Sequence, residues 1–89
     1  MHWFYTTFQD YCKKSGIQLL KDDLKYIERV LCNIDKGEQK RVLKHFTDEW
    51  LLGIQLEENS TLKQNTGRRR ANLWLLEKVN EIKNGENRK

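Results

Sequence analysis

Arg68, Arg69 and Arg70 stand in a row where a polar stretch passes into an apolar helical pattern. Three guanidinium groups so placed can neutralise phosphates or pair with carboxylates. The residues before them, Asn65-Thr66-Gly67, predict a helix that starts after Asn65 or Thr66. A helix start carries partial positive charge, which disfavours cations there by roughly 0.3–1 kcal/mol. An external anion reverses that penalty, because free backbone amides and arginine side chains then hold the same phosphate. A carboxylate patch on a protein partner would serve as well. So would the chain's own acids, since a hairpin around the polar stretch could bring Asp48, Glu49, Glu57 or Glu58 alongside.

A second basic group follows the short turn Asp35-Lys36-Gly37, which separates two helical patterns in the manner of a helix-turn-helix. Gln39, Lys40, Arg41, Lys44 and His45 come next and are of the types that contact bases and phosphates. If the fold sets Lys40, Arg41 and Lys44 on one face with Arg68, Arg69 and Arg70, the six make one basic surface. Otherwise they are the wet side of an amphipathic helix.

Other chemistry is poorly provided for. The two histidines are His2 and His45, and no serine lies in a Gly-x-Ser-x-Gly setting. His2, Cys12, Cys32 and His45 lack the paired spacing of a zinc site, and no glycine-rich phosphate loop is present. The reading is therefore non-enzymatic, with no cofactor and no metal.

Apolar residues exceed what one core can use. Leu73-Trp74-Leu75-Leu76 is apolar all round a helix, and Trp50-Leu51-Leu52 covers more than one face. Leu52, Leu73 and Leu76 are the residues expected at an interface, with a second copy of the chain or with a foreign protein. Trp3, Phe4 and Tyr5 are consecutive, so on a helix at least one is expected to be exposed; Trp3 is counted with the interface residues.

The elements that must position these groups are helices. There is no proline among the 89 residues, and the five glycines punctuate the chain. A first helix is predicted from Trp3 to Lys14, with Phe4, Phe8, Tyr11 and Cys12 at helical spacing and Ser15-Gly16 as its stop. A second, capped by Asp22, repeats Leu24, Ile27, Leu31 and Ile34, with Leu20 one turn earlier. Asp35 and Glu38, at capping-box spacing, open a third from Glu38 to Glu57, in which Val42, Leu43, Phe46, Trp50, Leu51 and Ile54 face inward. Gly53 lies inside it and suits a bend or a close crossing. Glu57 to Gly67 reads as a long polar connection. The last helix directs Ala71, Trp74, Leu75, Val79 and Ile82 to one side and frays at Gly85. The expected fold is all-α: a compact four-helix domain over 1–84, helix-turn-helix-like or a small bundle, followed by a disordered charged tail over 85–89.

The net charge of +4 is unevenly spread. Residues 67–89 hold seven basic and three acidic side chains, so the whole excess lies in the last quarter of the chain. No stretch approaches the ~20 apolar residues of a membrane span, and the first residues lack the pattern of a signal peptide. A cytoplasmic location with no membrane partner is expected, with Cys12 and Cys32 as two buried, reduced thiols.

The stretch from Asn65 to Leu75, Asn-Thr-Gly-Arg-Arg-Arg-Ala-Asn-Leu-Trp-Leu, in a compact basic helical chain, resembles in style the small proteins of bacteriophages and other mobile elements. That resemblance, to a style and not to one family, implies a DNA-binding regulator, a replication accessory such as a helicase-binding protein, or an inhibitor of host defence. The expected function is a nucleic-acid-binding accessory or regulatory protein that contacts phosphates, of DNA rather than RNA, through Arg68, Arg69, Arg70, Lys40, Arg41 and Lys44. The alternative is a protein-binding adaptor or inhibitor that docks on a larger nucleic-acid-processing complex through Trp3, Leu52, Leu73 and Leu76.

Overall fold

Local chemistry at the chain's turns sets where each helix ends. In the computed structural model, which describes residues 4–87, a π-helical turn, Phe4–Phe8, runs into α1, Gln9–Ser15. Gly16 then takes the left-handed conformation, φ 90°. The Ile17 N–H donates to the Cys12 carbonyl at 2.9 Å and the Gly16 N–H to that of Lys13 at 3.3 Å. This is a Schellman stop, and it folds Ile17 into the core as its sequence position suggests.

Helix α2, Lys21–Leu31, starts one residue before the expected cap. Asp23 is the capping residue, not Asp22: its carboxylate accepts the Leu20 N–H at 2.9 Å. Ile27, Leu31 and Ile34 are buried and Leu24 packs against them, whereas Leu20 is exposed and leaves the stripe. Helix α3, Lys36–Leu56, is capped by Asp35, whose side chain accepts the Gly37 N–H at 3.1 Å. The reciprocal half of the expected capping box is not made, because Glu38 instead pairs with Arg41 at 2.7 Å.

Helix α4, Lys63–Asn87, begins earlier than the sequence pattern suggests and passes through Gly85 without stopping. The polar connection is accordingly short, running from Glu57 to Leu62. Lys63, the first residue of α4, closes the end of α3: its ammonium donates to the Ile54 carbonyl at 3.0 Å and to that of Glu57. Thr66 adds a hydroxyl donation to Glu57 at 2.6 Å, which holds that carboxyl below the usual range; the Asn59 backbone N–H contributes next.

Helices α3 and α4 form an antiparallel hairpin around which the rest is built. Glu49 meets Arg70, and His45 stacks on Trp74. At the crossing, a methyl group on Gly53 would lie 2.7 Å from the Gly67 Cα, and one on Gly67 would lie 2.6 Å from the Trp50 carbonyl oxygen. Gly53 thus serves the close crossing that its mid-helix position suggests, and Gly67, read as part of a loop, is its partner inside α4. Phe8, Cys12, Ile17, Ile27, Leu31, Leu43, Phe46, Trp50, Leu75 and Val79 join in one core. The result is four α-helices with no strand among the described residues, as a small helical bundle.

Candidate functional site

The three arginines occupy the second turn of α4 and the residues just after it, not a helix start. Free helix-start amides are therefore not beside them, and the anion site expected from amides and arginines together does not form. Successive residues on an α-helix point about 100° apart, and this rotation sends the three side chains to three environments.

Arg68 turns inward. Its Nε donates to both carboxylate oxygens of Asp23 at 2.9 Å, its Nη1 to Asn65 Oδ1 at 2.7 Å, and its Nη2 to the Gln18 carbonyl at 3.0 Å. The guanidinium also lies 5.0 Å from the centre of the Trp50 ring. Asp23 is only 5% exposed and Arg68 20%. The same Asp23 caps α2, so one carboxylate joins the start of α2 to α4.

Gln64, one turn before Arg68, completes this clamp. Its Oε1 accepts from the Gln18 N–H at 3.1 Å and from Trp50 Nε1 at 3.0 Å, and its Nε2 donates to the Gly16 carbonyl at 2.9 Å. Gln64 and Arg68 together fix the backbone of the α1–α2 connection. Arg68 is therefore a structural residue and leaves the expected nucleic-acid group.

Arg70 meets Glu49 at 3.5 Å and remains 43% exposed. An intramolecular pairing with Glu49 is among those the sequence allows; the pairing of Arg68 with Asp23 is not. Arg69 is exposed and makes no ion pair among the described residues.

The second basic group lies elsewhere. Lys40 and Lys44 border a cavity of about 250 Å³ with Thr7, Phe8, Tyr11 and Leu43, on the side of α3 that faces α1. Glu49, which marks the α4 side through Arg70, is roughly 140–180° around α3 from Lys44 and Lys40 at about 100° per residue. The two groups do not share a face. Arg41 is exposed and paired with Glu38.

Gln39 is buried and donates to the carbonyls of Leu31 at 3.0 Å and Ile34 at 2.7 Å, closing the end of α2. It is not available to read a base. His45 stacks on Trp74 with ring centres 4.3 Å apart. Helix α3 buries Val42, Leu43, Phe46, Thr47 and Trp50 on one side and exposes Lys40, Arg41, Lys44 and His45 on the other.

The expected apolar surplus is visible on α4. Leu73 is 59% and Leu76 44% exposed, one turn from each other on the outer side. Leu52 is half-buried, and Trp74, expected in the core, is partly buried at its edge. Trp3 and the side chains of Phe4 and Tyr5 lie outside the described residues.

Burial pushes the Cys12 thiol up to about 12, so it stays protonated at neutral pH. Cys32, read as a buried thiol, is exposed because it falls just past the end of α2, off the stripe made by Ile27, Leu31 and Ile34. Among the described residues no three acidic, histidine or cysteine side chains gather as metal ligands, and no helix is long and apolar enough to cross a membrane.

Sequence reasoning missed Asp23 and Gln64, and it read Gln39 as a base-contacting type where the structure makes it a cap of α2. Asp23 carried a signal, since it stands three residues after Leu20 at the spacing of a reciprocal cap. Gln39 and Gln64 carried none, because their partners are backbone groups of other segments. No family model, curated protein or solved structure matches this chain.

Proposed function

We propose that this protein is a non-enzymatic docking domain, an adaptor or inhibitor whose protein contacts are made through the outer face of α4. The observation that carries this reading is the pair of exposed leucines, Leu73 and Leu76, in the middle of the longest helix. Both belong to a helix whose core-facing side, Ala71, Leu75 and Val79, is already fully used. Exposed apolar side chains adjoining an exposed arginine suit a protein surface, where leucine supplies burial and arginine a directed hydrogen-bond fork.

A benzophenone amino acid in place of Leu73, activated by light in an extract of the source cells, tests this directly. A covalent adduct with protein, lost when Leu76→Asp is added, is expected. Absence of any protein adduct overturns the reading.

The nucleic-acid reading retains one specific support, Arg69, which makes no ion pair among the described residues and lies in the segment that holds the excess positive charge. Its test is salt-dependent binding of labelled DNA, compared between the wild-type chain and Arg69→Ala. Replacing all three arginines is not a usable control, because Arg68 supports the fold. Binding lost in Arg69→Ala, together with adducts to nucleic acid and none to protein, would reverse the order of the two readings.

A further inference from the structure

The outer face of α4 is patterned along its length. Arg69, Leu73, Leu76 and Asn80 are all exposed and recur at steps of four, three and four, the spacing of a coiled-coil seam. Arg70 and Glu77, seven residues apart and also exposed, flank that seam on one side. The flank is therefore basic before the leucines and acidic after them.

We infer that a second copy of this chain covers this face, with the two α4 helices packed antiparallel about a two-fold axis between Leu73 and Leu76. This rests on the docking role proposed for α4 and names its partner. A two-fold axis makes an interface self-complementary, so any residue's contact is repeated in reverse. With the axis between the leucines, Leu73 lies opposite Leu76 of the second copy. Arg70 then comes within a turn of Glu77 of the second copy, and Arg69 opposite Asn80, which offers it an amide oxygen.

Every layer is matched in this orientation. A parallel arrangement in register would instead set Arg69 against Arg69 in the seam and carry the Arg70–Glu77 flank of the second copy to the far side, where Arg70 meets no Glu77. Like charges across a pairing surface oppose it, so the charge order selects the antiparallel form. Arg70 already touches Glu49, but through Nε at 3.5 Å, and its guanidinium has further donors for a second carboxylate. The outward positions of α4 are free to pair because α3 takes the opposite side along the line of Gly67, Ala71 and Leu75.

The seam has a single apolar layer pair per copy, so association is weaker than in an obligate dimer, with Kd on the order of 10–100 µM. Sedimentation velocity of the full chain from about 10 µM to 1 mM should show a monomer–dimer equilibrium across this range. Leu73→Asp should abolish it while leaving the helical circular dichroism unchanged, since Leu73 is exposed in the monomer.

Glu77→Arg should weaken it about tenfold or more, because the two-fold repeats each lost pair. The exchange Arg70→Glu with Glu77→Arg, made together with Glu49→Gln so that no carboxylate of the same chain opposes position 70, should restore it, since it inverts both partners of each pair. A wild-type chain that stays monomeric throughout the range overturns the inference, as does a dimer indifferent to Leu73→Asp and Glu77→Arg, or an exchange that fails to restore association. A benzophenone adduct at position 73 with a different protein, and none of twice the chain's mass, overturns the self-pairing and leaves the docking role standing.

Discussion

The two sides of the first half of α4 differ more than their sequence suggests. On the inner side, Gln64, Gly67 and Arg68 hold α4 against Trp50, Asp23 and the α1–α2 connection. On the outer side, Arg69, Leu73 and Leu76 touch no comparable partner and remain exposed. Arg68 and Arg69 are chemically identical neighbours, yet one carries structure and the other is free to carry function. Helical rotation separates them, and a run of like residues on a helix is therefore not a patch.

The largest expected effect breaks the inner side. Arg68→Ala leaves the Asp23 carboxylate buried without its cation, a change that costs about 3–5 kcal/mol in a fully buried pair. The partial exposure of Arg68 places the expected loss near 3 kcal/mol. Arg69→Ala should change stability by less than about 0.5 kcal/mol, as exposed unpaired positions do. Urea denaturation of the two variants measures the difference; equal losses would erase the distinction between the two sides.

Gly67→Ala comes next. The added methyl would meet the Trp50 carbonyl oxygen at 2.6 Å, so the α3–α4 crossing must open, at a cost of about 1–3 kcal/mol even though alanine favours helix. A variant as stable as the wild type would show that the crossing is not tight. The same substitution at Gly85, where a methyl meets nothing within 4 Å, should be neutral or slightly stabilising and gives the contrast.

The smallest effect concerns the turn between α3 and α4. The Thr66 hydroxyl holds the Glu57 carboxyl below its ordinary value of 4.5. A depressed folded value stabilises the protein above the unfolded pKa, and that contribution is lost as pH falls through the folded one. Thr66→Val should therefore lower stability at pH 7 slightly, and the gap from wild type should close as pH drops below about 4.5. A gap that persists in acid would assign the effect to the loss of packing instead.

Much of the architecture was legible from the residues alone. The stripe of Ile27, Leu31 and Ile34, the inward set of Val42, Leu43, Phe46 and Trp50, and the Gly16 stop all appear where spacing puts them. The exposed leucines were legible too, because a helix apolar on every side must leave some of its surface uncovered. The start of α4 was not: Gly67 reads as loop, and only the Trp50 ring and backbone beside it explain a glycine within a helix. Nor was the dispersal of the six basic residues, since their faces depend on how α3 lies between α1 and α4.

What the sequence alone determined is what neighbours within a turn or two can decide: helix existence, the apolar stripes, the glycine stop and an apolar surplus on α4. Tertiary structure decided the roles of Arg68, Gln39 and Gln64. The partners of Arg68 lie 45 and 50 residues away in the chain, at Asp23 and Gln18. Such contacts follow from how helices pack, and packing fixes which of several equivalent guanidinium groups meets a buried carboxylate and which is left to the solvent.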